Sequence, residues 1–454
     1  MADKRKPQVV IVGGGFAGVA AAKALSGCDA DVTLIDRRNH HIFQPLLYQV
    51  ATALLAPSDV ATPIRQLAIR QKNLSVMLAE VSGLAEGERT VLTCSPGVES
   101  GRVAFDYLIL APGVQASYFG HDEFARNAPS LKTLADAELV RAKLLSAYEL
   151  AEETEDSAAR RRLLTFVLVG AGPTGVELAA AIAGLAHATL RASFRRIDPA
   201  ESRILLIEAG KRILPSFDET LARGAAKRLA RLGVEVLTET KVEQIDAQGV
   251  IVSGQRIESA TVLWTAGVAP APILKELRSQ TDRAGRICVL PNMEVPERPG
   301  IFVMGDAAAL NQDGRPLPGV AQVAIQQGRY VGQLVRARIE GRAWRHPFRY
   351  FDKGNMAIVG RNFAVLESRW LRMSGYLPWL IWGTIHLLFL PQLQGRLRVA
   401  GQWLWWCLTD QRSSLLVPET RHDSGSRPGE GAALTRTIPN TTACELPTSG
   451  NGPN

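Results

Sequence analysis

The chain has 454 residues with 52 Lys+Arg against 44 Asp+Glu, a net charge of +8, and 46% hydrophobic against 21% charged side chains. That is a globular balance, and at about 150 residues per domain the length allows two to three sizeable cores, which excludes a small disulfide-stapled scaffold. Five cysteines (Cys28, Cys94, Cys288, Cys407 and Cys444) are scattered without a close pair, which argues against a disulfide framework, a zinc cluster and a CxxC redox centre, and no metal is expected.

The charged start leads into an apolar run that breaks at once into glycines without a small-residue cleavage site, so no signal peptide is read and a cytoplasmic compartment is expected. QVVIV at 8–12 is a β-branched run ahead of a Gly-rich turn, the pattern of a parallel strand buried on both faces, with a helix expected next. Similar runs follow at 31–36 (DVTLID), 105–113 (FDYLILAPG), 164–172 (LTFVLVGAG), 203–210 (RILLIEAG), 261–268 (TVLWTAGV) and 300–308 (GIFVMGDAA). Their alternation with helical stretches predicts an α/β chain built on parallel sheets. VVIVGGGFAGVAAAKAL also repeats as FVLVGAGPTGVELAAAI, with Gly13 and Gly170 157 positions apart. That period is too long for a solenoid and implies two Rossmann-like nucleotide-binding domains. The dense charge run at 149–162 (ELAEETEDSAARRR) between them reads as a solvated helix or linker.

Each glycine turn has a mechanical rationale. In Gly13-x-Gly15-x-x-Gly18 the first glycine permits a tight turn, the second lets backbone N–H groups approach a pyrophosphate, and the third lets helix and strand pack closely. Gly14, Phe16 and Ala17 belong to the same turn. Asp36, 23 positions after Gly13 and followed by Arg37, ends the next strand, where its carboxylate accepts hydrogen bonds from a ribose. Gly170-x-Gly172-x-x-Gly175 repeats the arrangement, with Pro173 and Thr174 suited to a helix start and Glu208 closing the next strand after an insertion at 187–199. Glu208 favours NADH over NADPH, since a 2′-phosphate would meet its charge, although Lys211 and Arg212 lie close in sequence. Glu177 falls in the first turns of the second helix, where dipole compensation and a catalytic role both stay open.

Two dinucleotide sites call for hydride transfer between them, most simply in a flavoprotein with FAD in the first site and NADH in the second. Asp306, after a strand and a glycine, suits the ribityl or phosphate side of FAD, and the helix AQVAIQQGRYVGQLV aims its start, Ala321 and Gln322, at the flavin C2 carbonyl. Gln44 and Gly113 are further FAD candidates, and Gly267 a further NADH candidate. Because the Asp306 segment returns late, the second domain is expected as an insertion in the first. The expected division is FAD-binding at 1–118 and 290–340, a connecting helical segment at 119–160, NADH-binding at 161–289, a membrane-associating region at 341–418 and a disordered polar tail at 419–454.

These residues resemble the two-dinucleotide-fold flavoproteins, and most closely the type II NADH:quinone oxidoreductases, or alternative NADH dehydrogenases. The stretches that carry the resemblance are HHIFQPLLYQVATALLAPSDVATPIR at 40–65, GAGPTGVELA, VMGDAA, AQVAIQQG at 321–328 and KGNMAIVG at 353–360. The resemblance implies non-proton-pumping transfer from NADH through FAD to a membrane quinone. It sets Gln322 and Gln326 beside the flavin and the quinone pocket and Glu177 near the nicotinamide; a quinone entering from the membrane side is read near Gln322, Gln326 and Gln49. It also implies Lys353 near the flavin, the backbone of Val81 at the adenine where the third strand ends, and a homodimer. Glu177 with Gln322 is the candidate proton relay to the quinone.

A quinone reductase must reach the bilayer. The apolar segment at 377–390 holds 14 residues, about 21 Å as a helix against a hydrocarbon core of about 30 Å, too short to span comfortably. The next segment sets Leu397, Ala400, Leu404 and Leu408 on one stripe with Arg398 and Gln402 opposite. Trp403, Trp405 and Trp406 add an interfacial signature, and Arg369, Arg372, Arg396, Arg398 and Arg412 supply cations for anionic head groups. A monotopic, peripheral placement on the cytoplasmic side of the inner membrane follows, with a buried dimer-forming helix pair as the alternative reading. No nucleic-acid signature is present. Two rival functions remain at this level, a ferredoxin-reductase-like flavoprotein and a flavin-binding protein of the apoptosis-inducing-factor kind.

Overall fold

The computed structural model describes residues 5–417 except 86, 88, 96 and 97; Cys444 and the tail at 419–454 lie outside them. β1 (Gln8–Val12) is buried almost throughout, hence its unbroken apolar sequence. It turns into α1 (Phe16–Ala24), followed by β2 (Asp31–Asp36), β3 (Leu74–Leu78) and β4 (Tyr107–Leu110). α2 (Leu134–Glu153) leads to β5 (Thr165–Val169), α3 (Pro173–Gly184), β6 (Arg203–Ile207), α4 (Glu219–Arg231), β7 (Val234–Leu237) and β8 (Thr261–Trp264). β9 (Ile301–Val303) and α5 (Ala321–Ile339) come next, and α6 (Tyr376–Phe389) and α7 (Leu393–Thr409) close the described chain.

The strands form two parallel sheets, β9-β4-β1-β2-β3 and β7-β6-β5-β8. Each places its glycine-turn strand centrally, where the strand order reverses, which is where open α/β sheets bind ligands at their carboxyl ends. The register is the same in both: Val12 pairs with Ile35 and Val169 with Ile207, and the N–H groups of Gly13 and Gly170 each donate to that partner's carbonyl at 2.8 Å. Asp36 and Glu208, one residue further on, therefore land beside their turns. β9 joins the first sheet against β4, and α5 lies along α1. A Cβ on Gly328 would come within 2.1 Å of the Ala17 carbonyl oxygen, so the two backbones touch only because that side chain is absent.

The charge run at 149–162 is helical and largely solvated, as expected: its first half completes α2, with Ala151 turned into the core, and a short helix at Ser157–Leu163 with no buried residue follows. Glu152 accepts hydrogen bonds from the backbone N–H groups of Arg195, Arg196 and Ile197, and Phe194 stacks on Tyr148, so the insertion at 187–199 is pinned to α2. Val81 is not at the end of β3. It lies in the next strand, Glu80–Ala85, paired with Thr93 of an antiparallel sheet, because the chain turns out of the parallel sheet after Leu78. Among the described residues no helix is long and apolar enough to cross a membrane.

Candidate functional site

At the first turn Gly13 has φ +103° and a Cβ there would meet the Ala111 carbonyl at 2.1 Å, while one on Gly18 would lie 1.8 Å from the Gly13 oxygen. At Gly15, by contrast, nothing lies within 4 Å of an added Cβ. The turn is packed from beneath and open above, as close approach of a pyrophosphate requires. Asp36 locks it, accepting from the N–H of Gly14 at 2.6 Å and of Arg38 at 2.7 Å, and His41 meets the Gly14 carbonyl through Nδ1 at 3.0 Å. Phe16 opens α1 with its ring edge-on to His41 and Phe43; Ala17 is buried beneath Gly328. Arg37 is exposed beside Glu80 at 3.7 Å.

The Asp306 carboxyl is raised above its ordinary range by burial, with Lys132 and Arg286 pulling it back. Lys132 is itself lowered by burial and supported by Asp306 and Asp136, and its carbonyl accepts from Gln44 at 3.3 Å. Sequence reading missed Lys132, since it belongs to no motif and meets Asp306 only through the fold. Gly113 has φ +72° and open space around it. The Gln322 Oε1 is buried without a partner while its Nε2 donates to the Gly354 carbonyl at 3.1 Å. An open glycine cradle, a ribose-side carboxylate and an orphaned amide oxygen at the start of α5 fit FAD.

The second turn repeats the first. A Cβ on Gly170 would meet Ala266 at 2.7 Å and one on Gly175 the Gly170 oxygen at 1.9 Å, whereas Gly172 is open. Pro173 and Thr174 begin α3. Glu208 accepts from Ala171 N–H at 2.7 Å and Gly210 N–H at 2.8 Å, as Asp36 does in the first domain. Gly267, at φ +64°, faces Ser117 and Phe119 across the antiparallel pairing of 114–116 with 268–270.

One segment draws the start of α5 and the second turn's helix together. Gln326 bonds the Phe351 backbone through both ends of its amide, at 2.9 and 3.0 Å; Gln322 bonds Gly354; and the N–H of Ile358 donates to Glu177 Oε1 at 3.3 Å. The strand Asn355–Ile358 thus ties the start of α5 to α3. Lys353, on this segment, is exposed. Glu177 is half-buried, and burial pushes its carboxyl up to about 8, with the Ile358 N–H pulling the other way. That direction favours the protonated carboxyl at neutral pH, whereas dipole compensation would call for the charged form.

Glu177 also bears on Tyr48, whose phenol burial pushes well above its ordinary value. Gln49 donates to the Tyr48 hydroxyl at 2.9 Å and accepts from the Trp403 indole at 2.7 Å. Trp403 therefore points inward, against Trp382, and is not an interfacial residue. Arg412 is likewise no head-group cation. It is buried, lowered by burial to about 10, and donates to the carbonyls of Thr52 and Ala181. Arg398 pairs with Asp59 at 3.3 Å, Arg396 donates to the Leu390 carbonyl, and Arg372 pairs with Asp218. Arg412→Met is expected to cost about 3 kcal/mol, because two buried carbonyls lose their donor; chemical denaturation checks it.

Paired dinucleotide cradles joined by such a segment define a flavin- and pyridine-nucleotide-dependent oxidoreductase, and residues 7–328 match the pyridine nucleotide-disulphide oxidoreductase family. The chain is 41% identical to the type II NADH:quinone oxidoreductase Ndh of Mycobacterium tuberculosis, over 91% of each chain. It is 32% identical to an internal alternative NAD(P)H-ubiquinone oxidoreductase of Arabidopsis thaliana, over 88% of this chain and 84% of that one. Its fold matches the NDH2 of Plasmodium falciparum in complex with NADH at a TM-score of 0.81 and 18% identity, covering 89% of this chain and 98% of that one. The chain belongs to the type II NADH:quinone oxidoreductase family.

Proposed function

We propose that Glu177 is the proton reservoir of an NADH:quinone oxidoreductase in which Gln322 and the 351–358 segment position the reacting partners. FAD, which the first cradle would hold, would supply the two-electron carrier between NADH and a quinone. The balance, NADH + H⁺ + quinone giving NAD⁺ + quinol, draws one proton from outside the cofactors. The observation that carries the reading is the convergence of Glu177, Gln322 and Gln326 on that one segment. Gly13, Gly14, Gly15, Gly18 and Asp36 hold the FAD pyrophosphate and ribose, with Lys132 beside Asp306 as a further positive charge. Gly170, Gly172, Gly175 and Glu208 hold NADH, and Glu208 disfavours a 2′-phosphate. Of the remaining site assignments, Gln326 supports the backbone at Phe351, and Val81 serves through its main chain alone. Steady-state NADH oxidation with a short-chain quinone tests the activity; a protein that NADH bleaches but quinone never restores would refute it.

The quinone side lies toward α6 and α7, which rest on the membrane as interfacial helices. What supports this is the row of Leu397, Leu404 and Leu408, exposed at 67%, 63% and 73%, continued by Leu388 and Phe389. His386 is no part of that surface: burial lowers it to about 4, and it stacks on Trp382. The peripheral, cytoplasmic-side placement and a homodimer belong to the same reading, and sedimentation of the solubilised protein tests the dimer. Deleting α6 and α7 would be a poor test of membrane attachment, because Trp382, Leu390 and Val399 are buried in the core. The triple variant Leu397→Gln/Leu404→Gln/Leu408→Gln is expected to stay folded and active with a short-chain quinone while losing at least about 30-fold in vesicle partitioning. Sedimentation with vesicles checks this, and undiminished pelleting would refute it.

A further inference from the structure

A groove of about 680 Å³ runs between α1 and α5 to the corner where α6 meets α7. Apolar side chains line it, among them Val19, Ala20, Ile325 and Phe389. Four cations line it as well: Lys23, Arg329, Arg336 and Arg342. Arg336 and Arg342 share a single carboxylate, Glu340, at 2.8 and 2.6 Å. Among the described residues Lys23 and Arg329 have no ion-pair partner. Four positive charges around one cavity therefore meet one negative charge, an arrangement that concentrates an anion.

The charge alone would suit any anion, but the same cavity is lined by apolar Val19, Ala20 and Ile325 and by Phe389, which belongs to the exposed apolar row of α6 and α7. A ligand matching both halves carries a phosphate and a hydrocarbon chain. We propose that this groove seats one anionic phospholipid, its phosphate against Lys23 and Arg329 and one acyl chain over Val19, Ala20 and Ile325 toward Phe389. The proposal rests on the membrane reading of α6 and α7 and adds a specific partner to it. Cations beside the interfacial helices strengthen attachment to an anionic leaflet and fix the rotation of the protein on it.

The test uses the full-length, flavin-loaded protein with vesicles of phosphatidylcholine and of phosphatidylcholine mixed with phosphatidylglycerol, at one ionic strength. The variants are Lys23→Gln/Arg329→Gln and, as a charge-matched control, Arg369→Gln/Arg372→Gln. At about fivefold per cation, the first pair is expected to lose about 30-fold in partitioning on the mixed vesicles and nothing on phosphatidylcholine. Tightly bound phospholipid phosphorus, one per chain in the unaltered protein, should vanish in that pair and persist in the control, with flavin content and NADH oxidation unchanged in both. Retention of bound phospholipid by Lys23→Gln/Arg329→Gln, or an equal loss in both pairs, overturns the proposal in favour of diffuse attraction. Displacement by inorganic phosphate at matched ionic strength overturns it in favour of a free-anion site. Equal pelleting of the unaltered protein with both vesicle types overturns this seat alone, whereas no pelleting with either overturns the membrane reading on which it rests.

Discussion

Replacing Gly15 by alanine is expected to give a folded, colourless protein, whereas Gly172→Ala should give a yellow one that NADH no longer bleaches at ordinary concentrations. Both glycines have ordinary extended backbone, φ −75° and −67°, and an added Cβ at either meets no protein atom within 4 Å. The methyl group therefore costs the fold nothing and intrudes only on whatever approaches the turn from outside. If that visitor is a pyrophosphate, losing close approach to two backbone donors costs about 3 kcal/mol, or about 100-fold in affinity. Gly18→Ala would be a poorer probe, since its Cβ would sit 1.8 Å from the Gly13 oxygen and disturb the turn whether or not a ligand binds. Flavin-to-protein absorbance, thermal melts and stopped-flow bleaching separate the outcomes. A yellow Gly15→Ala protein with normal flavin content would show that the first turn is not the FAD cradle.

The turns were legible because they are local: strand, glycines, helix and the acid of the next strand lie within one βαβ unit, and the parallel register delivers Asp36 and Glu208 to their places. What stayed hidden depends on distant pairings. Lys132 reaches Asp306 from the segment before α2, and Arg412 enters the core from beyond α7 to bond Thr52 and Ala181. Trp403 and Arg412 have the composition of a membrane interface, yet the fold turns both inward. Their neighbours Leu397, Leu404 and Leu408 stay outward, since helical periodicity fixes relative faces but not which face meets the core. Val81 falls in the antiparallel sheet for a related reason, since apolar runs do not announce where a chain leaves a parallel sheet for an antiparallel one.

Glu177→Gln is expected to lower kcat for quinone reduction by about 100-fold and to flatten its pH profile between pH 7 and 9. With the native carboxyl near 8, the unaltered enzyme should hold its rate at neutral pH and lose it above pH 8, as the proton on Glu177 departs. The amide has none to give and should show no such limb. The same shift makes a stability prediction of definite sign. The unfolded carboxyl titrates near 4.5 and the folded one near 8, so the fold binds the proton more tightly. Native stability is intact below pH 4.5, falls as pH rises from about 4.5 to about 8, and has lost this contribution fully above 8. Over that window the loss approaches about 5 kcal/mol as an upper bound. A glutamine does not titrate, so the variant should match the unaltered protein near pH 4.5 and exceed its melting temperature increasingly toward pH 9. A variant no more stable at pH 9, with an unchanged alkaline limb in its rate, would mean that Glu177 is ionised in the fold and stores no proton for the quinone.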